Sequence, residues 1–212
     1  MNLNKNHEFI FTKFDSVQLR NSNKYIEYIG RGKSPKYEES IYYTLNQKCI
    51  RRNSINLRDR KSVSKQWNDK FGNERLTKAG DILINSTGEG TIGRAAIVNA
   101  PILQGLSYDS HIILIRLNKN FVFPDYFVNI FNSSFIQMQI DILKGAKTTK
   151  QTELGINNVL KLSFPLPNLE KQIVLVENIQ KKENIIRELE GKVKSLYDEK
   201  KKIIEEEILS ES

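Results

Sequence analysis

The chain has 212 residues, 39% of them hydrophobic, and carries a formal net charge of +8. That length and apolar content suffice for one well-packed core with an appended element and exclude an intrinsically disordered chain, while the basic balance points to a polyanionic partner. A single cysteine, Cys49, excludes an intramolecular disulfide framework, and with only His7 and His111 beside it the ligand set is too sparse for a zinc cluster.

The N-terminal run Met-Asn-Leu-Asn-Lys-Asn-His-Glu-Phe lacks the apolar segment of a signal peptide. No stretch of about eighteen apolar residues follows, so a soluble, intracellular, cytoplasmic protein with no membrane partner is expected. Residues 20–65 then concentrate the positive charge, with twelve Lys or Arg against four Asp or Glu, among them Arg31, Lys33, Lys36, Lys48, Arg51, Arg52, Arg58, Arg60 and Lys61. Such a stretch is either a solvated loop face or the electrostatic footprint of a nucleic acid, where each cation meeting a phosphate releases counterions. Within it, Gly32-Lys33-Ser34 ends like a P-loop. Glu27 stands where that motif needs its first glycine, and Pro35-Lys36-Tyr37 follows where the phosphate-binding helix would run, so ATP binding by this chain is not expected.

Residues 81–85 and 94–98 read as strands flanking a glycine loop, and residues 111–117 as a further strand. The loop spells G-x-G-x-x-G over Gly88-Glu89-Gly90-Thr91-Ile92-Gly93. A dinucleotide site needs the last glycine to open a helix, and a carboxylate at the end of the next strand. Here Pro101 stops any helix before its second turn is complete, and Asp109 precedes a strand instead of ending one. A hairpin tip is expected instead, in which Ser86, Thr87, Gly88, Gly90 and Thr91 bring hydroxyls and amides near an anion with Arg94 at the base; an ordinary glycine-rich turn is the alternative. Residues 124–140 are expected to form one or two helices, with Pro124 in a first turn and Tyr126, Phe127, Phe131 and Phe135 in the core.

The periodicity changes at Pro165-Leu166-Pro167, after which Asn168 offers an N-cap. Residues 168–212 hold nine Lys or Arg and eleven Asp or Glu, a net of −2, which leaves +10 for residues 1–167. Leu175, Ile179, Ile186, Leu189, Val193, Leu196 and Ile203 fall at alternating spacings of four and three once Lys182 and Lys200 join the seam. The helix so predicted is about 60 Å long and too amphipathic to stand alone. It either folds back on its own domain or, the favoured reading, forms a coiled coil with another chain. Domains are therefore expected at 1–167 and 168–212. The chain lacks the N/D-P-P-Y/F tetrapeptide of an amino-methyltransferase, and Glu190-Gly191-Lys192, an E-x-K triplet, lies on the predicted helix with no carboxylate-bearing strand before it.

In order and spacing, these motifs resemble the DNA specificity subunits of type I restriction-modification systems, in particular one target-recognition domain followed by one conserved spacer helix. The resemblance is carried by Arg31-Gly-Lys-Ser-Pro-Lys-Tyr, Asn46-Gln-Lys-Cys-Ile-Arg, Gly80-Asp-Ile-Leu-Ile-Asn with its glycine loop, Gly145-Ala-Lys-Thr-Thr-Lys, and Phe164-Pro-Leu-Pro-Asn-Leu-Glu-Lys-Gln-Ile. It covers the chain from about residue 20 onward. The additional Glu89-Gly90 in the loop, and Asn168 in place of a second proline, depart from the pattern. The resemblance implies an α+β fold: a globular target-recognition domain with a mixed twisted sheet and flanking helices, then one long coiled-coil helix.

It further implies a non-catalytic subunit that directs modification methyltransferase subunits and restriction subunits to a bipartite site in double-stranded DNA. No metal or cofactor is then expected in this chain, because S-adenosylmethionine and ATP would be bound by the partner subunits. One domain and one helix imply a half-subunit that homodimerises through an antiparallel coiled coil and reads an interrupted palindrome. The family's recognition loops fall here on Lys33, Ser34 and Lys36; on Gln47, Lys48, Arg51 and Arg52; on Ser86, Thr87, Gly88, Thr91 and Arg94; and on Lys147, Thr148, Thr149 and Lys150. Gln47 suits adenine and Arg51 or Arg52 guanine, whereas Ser, Thr and Lys suit phosphates. The alternative is a nonspecific nucleic-acid-binding protein that dimerises through its C-terminal helix; a stand-alone enzyme is disfavoured by the failed motifs.

Overall fold

The computed structural model describes residues 16–19, 24–143 and 153–210. The chain separates into two compact units, residues 1–172 and 173–212. In chain order the strands are β1 (Ser16–Gln18), β2 (Ile26–Arg31), β3 (Tyr43–Leu45), β4 (Ile50–Arg51), β5 (Ser54–Ile55), β6 (Lys61–Ser62), β7 (Ile82–Asn85), β8 (Ala95–Ile97), β9 (Ser107–Tyr108), β10 (Ile112–Leu117) and β11 (Ser163–Pro165). The helices are α1 (Lys65–Asp69), α2 (Pro124–Phe131), α3 (Ser134–Leu143), α4 (Ile156–Lys161) and α5 (Leu169–Ser210).

The expected strands at 81–85, 94–98 and 111–117 form the centre of the first unit as β7, β8 and β10. Together with β2 they build a sheet in the order β2-β10-β7-β8, antiparallel throughout. Successive side chains of a strand point to opposite faces, and here both faces are covered. Ile82, Ile84, Ala95, Ile97, Ile113 and Ile115 pack with Phe127, Phe131, Phe135, Ile136 and Ile140 of α2 and α3. Leu83, Ala96, Ile112 and Leu114 face the other way, onto Leu45, Cys49, Ile50, Phe71 and Tyr108. Two cores therefore sandwich one sheet, which is why these strands read as continuous apolar runs instead of alternating ones.

Among the described residues, the β content outside this sheet is divided into three smaller pieces, β6-β3-β9, β4-β5 and β1-β11. The β3–β9 pair is parallel. Pro124 opens α2 at a first-turn position, and Phe127 stacks on Phe164 of β11 with ring centroids 4.9 Å apart. Tyr126 is buried and donates to the Pro165 carbonyl at 2.8 Å; burial pushes its phenol pKa up to about 12. The four aromatics expected in the core, Tyr126, Phe127, Phe131 and Phe135, are all buried.

One end of the β7/β10 pair is closed by charge. Gly80 turns the chain at φ +89°, and the Asp81 carboxylate then accepts from Arg116 Nε at 2.8 Å, Arg116 Nη2 at 2.7 Å and the Lys78 amide at 2.7 Å. Asp81 is 1% exposed, so each of these bonds acts in a desolvated setting. β8, the edge strand of the main sheet, is covered at Ala95 by the Asn132 side chain. Its Oδ1 accepts from Ala95 N at 3.0 Å and its Nδ2 donates to Ala95 O at 2.8 Å, much as a neighbouring strand would.

The start of α5 belongs to the first unit. Asn168 caps it, its Oδ1 accepting from the Lys171 amide at 2.9 Å. Gln172 is fully buried, with Oε1 accepting from Phe123 N at 2.8 Å and Nε2 donating to Phe121 O at 2.9 Å and Pro167 O at 2.8 Å. The second unit is the remainder of this helix. Ile186, Leu189, Val193, Leu196 and Ile203 of the expected seam each expose half or more of their surface, and Leu175 and Ile179 are half-buried. Ile185, Tyr197, Ile204 and Ile208 are also exposed and widen the stripe.

Candidate nucleic-acid interface

At the opposite end of the β7/β10 pair from Asp81, the loop between β7 and β8 forms the expected hairpin tip. Asn85 and Arg94 close its base through Asn85 N to Arg94 O and Gly93 N to Asn85 O, both at 2.9 Å. Gly88, Gly90 and Gly93 take φ values of +99°, +68° and +77°, which an L side chain rarely adopts. The loop's own polar groups are partly spent within it. Thr91 Oγ1 lies 3.1 Å from both the Thr87 and Gly88 carbonyls, and Arg94 Nη2 donates to Gly90 O at 3.0 Å. No helix follows Gly93: residues 95–97 continue directly into β8, as the failed dinucleotide mechanics require.

Three of the expected recognition loops can be followed. Asn46 builds a side-chain turn, its Oδ1 accepting from Lys48 N at 2.8 Å and its Nδ2 donating to Asp59 O at 2.5 Å, and this presents Gln47 to the glycine loop. Thr87 Oγ1 donates to Gln47 Oε1 at 3.3 Å, and Asn85 Nδ2 donates to the Gln47 carbonyl at 3.0 Å. Gly88 also sits close to this pair, where a Cβ would stand 2.6 Å from Gln47 Oε1, and its φ of +99° is what favours glycine there. Ser86 is fully buried and spans the junction: its Oγ donates to His111 O at 3.0 Å and accepts from Arg31 Nη2 at 2.8 Å. Arg31 also donates to Ser110 O at 2.6 Å and pairs with Glu153.

The remaining sites divide by what their polar atoms already hold. Lys48 and Lys36 are exposed on the surface. Ser34 Oγ lies 3.4 Å from Ser110 Oγ, beside the same cluster. Arg51 pairs with Asp59 at 3.2 Å. Lys33 Nζ donates to Lys70 O at 2.8 Å, at the C-terminal end of α1, and Arg52 Nη1 donates to Asn132 O at 3.1 Å, at the C-terminal end of α2. Both cations therefore serve helix termini, where a positive charge meets unsatisfied carbonyls. Lys147, Thr148, Thr149 and Lys150 lie outside the described residues. Gly32 has a packing reason that its P-loop-like neighbours conceal: its amide donates to Ile112 O at 3.0 Å, and an added Cβ would collide with the carbonyls of Tyr108 and Asp109.

The recognition-loop residues expected from sequence do not include Ser110, His111 or Glu153, nor Arg31, although Arg31 lies in the basic stretch and opens one of the motifs. His111 is exposed, with Nδ1 2.7 Å from Thr87 Oγ1 and its amide donating to Asp109 Oδ1 at 2.9 Å. Burial raises the Asp109 carboxyl above its usual range, against the lowering effects of the His111 amide and of the His111 and Arg31 charges. Among the described residues no three His, Cys, Asp or Glu side chains are grouped so as to hold a metal ion, and no helix is long and apolar enough to cross a membrane.

No protein-family model matches the chain, and no curated protein sequence matches it. Solved structures do. The HsdS subunit from Thermoanaerobacter tengcongensis is 20% identical with a TM-score of 0.61, the match covering 83% of this chain and 43% of that one. A chain from a structure concerned with complex assembly and conformational transition of the type I R-M system matches with the same identity, TM-score and coverage. The type IIG restriction endonuclease BpuSI is 10% identical with a TM-score of 0.52, over 83% of this chain and 28% of its own. The chain thus spans less than half the length of the solved proteins it matches, and its α+β domain with a long C-terminal helix has the fold of an HsdS half-subunit.

Proposed function

We propose that this chain is a DNA specificity subunit of a type I restriction-modification system, in half-subunit form. The observation that carries the reading is the fold match over 83% of the chain to under half of an HsdS subunit, with the long helix included in the architecture. The domain of residues 1–167 chooses the DNA sequence; residues 168–212 pair two copies. The subunit is not itself an enzyme. It brings modification subunits, which use S-adenosylmethionine, and ATP-driven restriction subunits to a bipartite site on double-stranded DNA in the cytoplasm.

Within the domain, the face formed by Gln47, Lys48, Thr87, Gly88, Thr91 and Arg94 approaches the duplex with Ser34 and Lys36; Lys147, Thr148, Thr149 and Lys150 are assigned to phosphates on their residue types alone. Ser86 supports that face from beneath. Lys33, Arg51 and Arg52 reach DNA only with charge to spare beyond the partners they already hold, so their contribution is to phosphates rather than to bases. The exposed stripe from Ile186 to Ile203 supports homodimerisation in an antiparallel coiled coil, because an apolar seam of that length is stable only when covered. A two-fold dimer of one recognition domain reads an interrupted palindrome.

The test is selection from a random-sequence duplex pool by the purified full chain at fixed salt. Enrichment of a two-part, inverted-repeat sequence is the expected result; recovery without sequence preference overturns the reading in favour of a nonspecific nucleic-acid binder. Sedimentation at micromolar concentration checks the second unit, and a stable monomer with its helix intact removes the dimer.

A further inference from the structure

We propose that His111 is a base-reading residue, and that Thr87 is the positioning residue which fixes where its proton sits. The proposal deepens the reading of this face as a sequence-specific DNA interface and rests on it. The Thr87 hydroxyl lies between two side chains, 3.3 Å from Gln47 Oε1 and 2.7 Å from His111 Nδ1. A hydroxyl has one proton, and an amide oxygen only accepts. With the Gln47 amide oxygen turned to Thr87, the hydroxyl gives its proton to Gln47 and takes one from His111, and the neutral imidazole then carries its hydrogen on Nδ1. The outer nitrogen, Nε2, is left with a lone pair. An exposed histidine without such a partner favours the opposite tautomer, so the arrangement is a signature and not a default.

The backbone that carries the ring is also held in place. The His111 amide donates to Asp109 Oδ1 at 2.9 Å, while its carbonyl accepts from Ser86 N at 2.8 Å and from Ser86 Oγ at 3.0 Å. His111 is exposed on this fixed base and shares the Thr87 hydroxyl with Gln47. With its Oε1 held by Thr87, Gln47 has its amide nitrogen, a donor only, left to offer. One hydroxyl thus sets an acceptor on His111 and a donor on Gln47, side by side. In the major groove, an Nε2 lone pair fits the exocyclic amino group of adenine or cytosine, while the Gln47 amine fits an acceptor such as a purine N7.

Two measurements on the full chain test this. The first is nitrogen NMR of the histidine rings at pH 8.5, where an ordinary imidazole is neutral. The Nδ1–H form is expected for His111 in the wild type and in Thr87→Ser, and its loss in Thr87→Val; an Nε2–H ring in the wild type overturns the placement of the proton. The second is competition binding with single-base-pair variants of the sequence the wild type selects. His111→Ala should relax one position by about tenfold, and Thr87→Val should relax that same position together with any that Gln47 reads. Preference retained at every position by His111→Ala overturns the role of His111 while sequence-specific binding stands. A wild type with no preference overturns both the specificity reading and the base contact, and the ring tautomer then decides the placement of the proton alone.

Discussion

The two ends of the β7/β10 pair carry similar residue types and opposite arrangements. At one end Arg116 and Asp81 satisfy each other in a bidentate pair, and the guanidinium's other donors reach the Glu74 and Leu76 carbonyls at 3.1 and 3.2 Å. Its pKa is raised first by the hydrogen bond to Asp81. At the other end Arg31, Ser86, Thr87, Gln47 and His111 are linked in a chain that ends on exposed atoms. A cation in the sequence therefore says little about binding until its hydrogen bonds are counted. The buried end holds the sheet; the exposed end offers donors and acceptors to a partner.

The sharpest way to break that contrast is Asp81→Ala, which strands Arg116 without its carboxylate. A loss of about 3–5 kcal/mol in urea unfolding is expected, the cost of removing one member of a buried pair. Ser86→Ala removes the buried hydroxyl that joins Arg31 to His111 and should cost less, about 1–3 kcal/mol. If Ser86→Ala proves the more damaging of the two, the division between a structural end and a recognition end is wrong.

Asp109 supplies a pH-dependent test. Its carboxyl, raised above the ordinary value of 3.8 by burial, keeps its proton in the folded chain at pH values where the unfolded chain has released it. Over that window the folded state binds more protons, so its contribution to stability falls as pH rises and levels off above the raised pKa. Asp109→Asn keeps an acceptor for the His111 amide and removes the slope. Melting curves should show the variant gaining on the wild type as pH climbs from about 4. The smallest effect on stability belongs to Lys48→Ala, within about 0.5 kcal/mol of the wild type. Its expected signature is on DNA instead, where the salt dependence of binding should flatten by about one unit for all sequences alike.

Much of the main sheet was legible in the sequence because long apolar runs and glycine punctuation are local signals. The strands at 81–85, 94–98 and 111–117, the paired helices after Pro124 and the N-cap at Asn168 all follow from neighbours in the chain. β3, β4, β5, β6 and β9 were not legible: each is two or three residues long, too short for a period, and the parallel β3–β9 pairing joins residues about sixty positions apart. The same divide runs through the candidate site. The glycine hairpin, Gln47 and Arg31 lie in motifs, whereas His111 and Glu153 gain meaning only through bonds that link distant segments. Nothing around His111 in the sequence distinguishes it from an incidental surface residue. Lys33 and Arg52 show the converse, cations in a basic stretch whose charges are directed to helix carbonyls.

The closure of the β7–β8 loop upon itself has a consequence for variation. Its base is fixed by Asn85, Gly93 and Arg94, and a Cβ at Gly93 would press on Ile140, whereas Gly90 at the tip faces open space. Within residues 87–91, glycine is held at 88 and 90 by positive φ, so Thr87, Glu89 and Thr91 are the positions open to change on this fixed base. Rewriting those three changes the chemistry at that end without reopening either core.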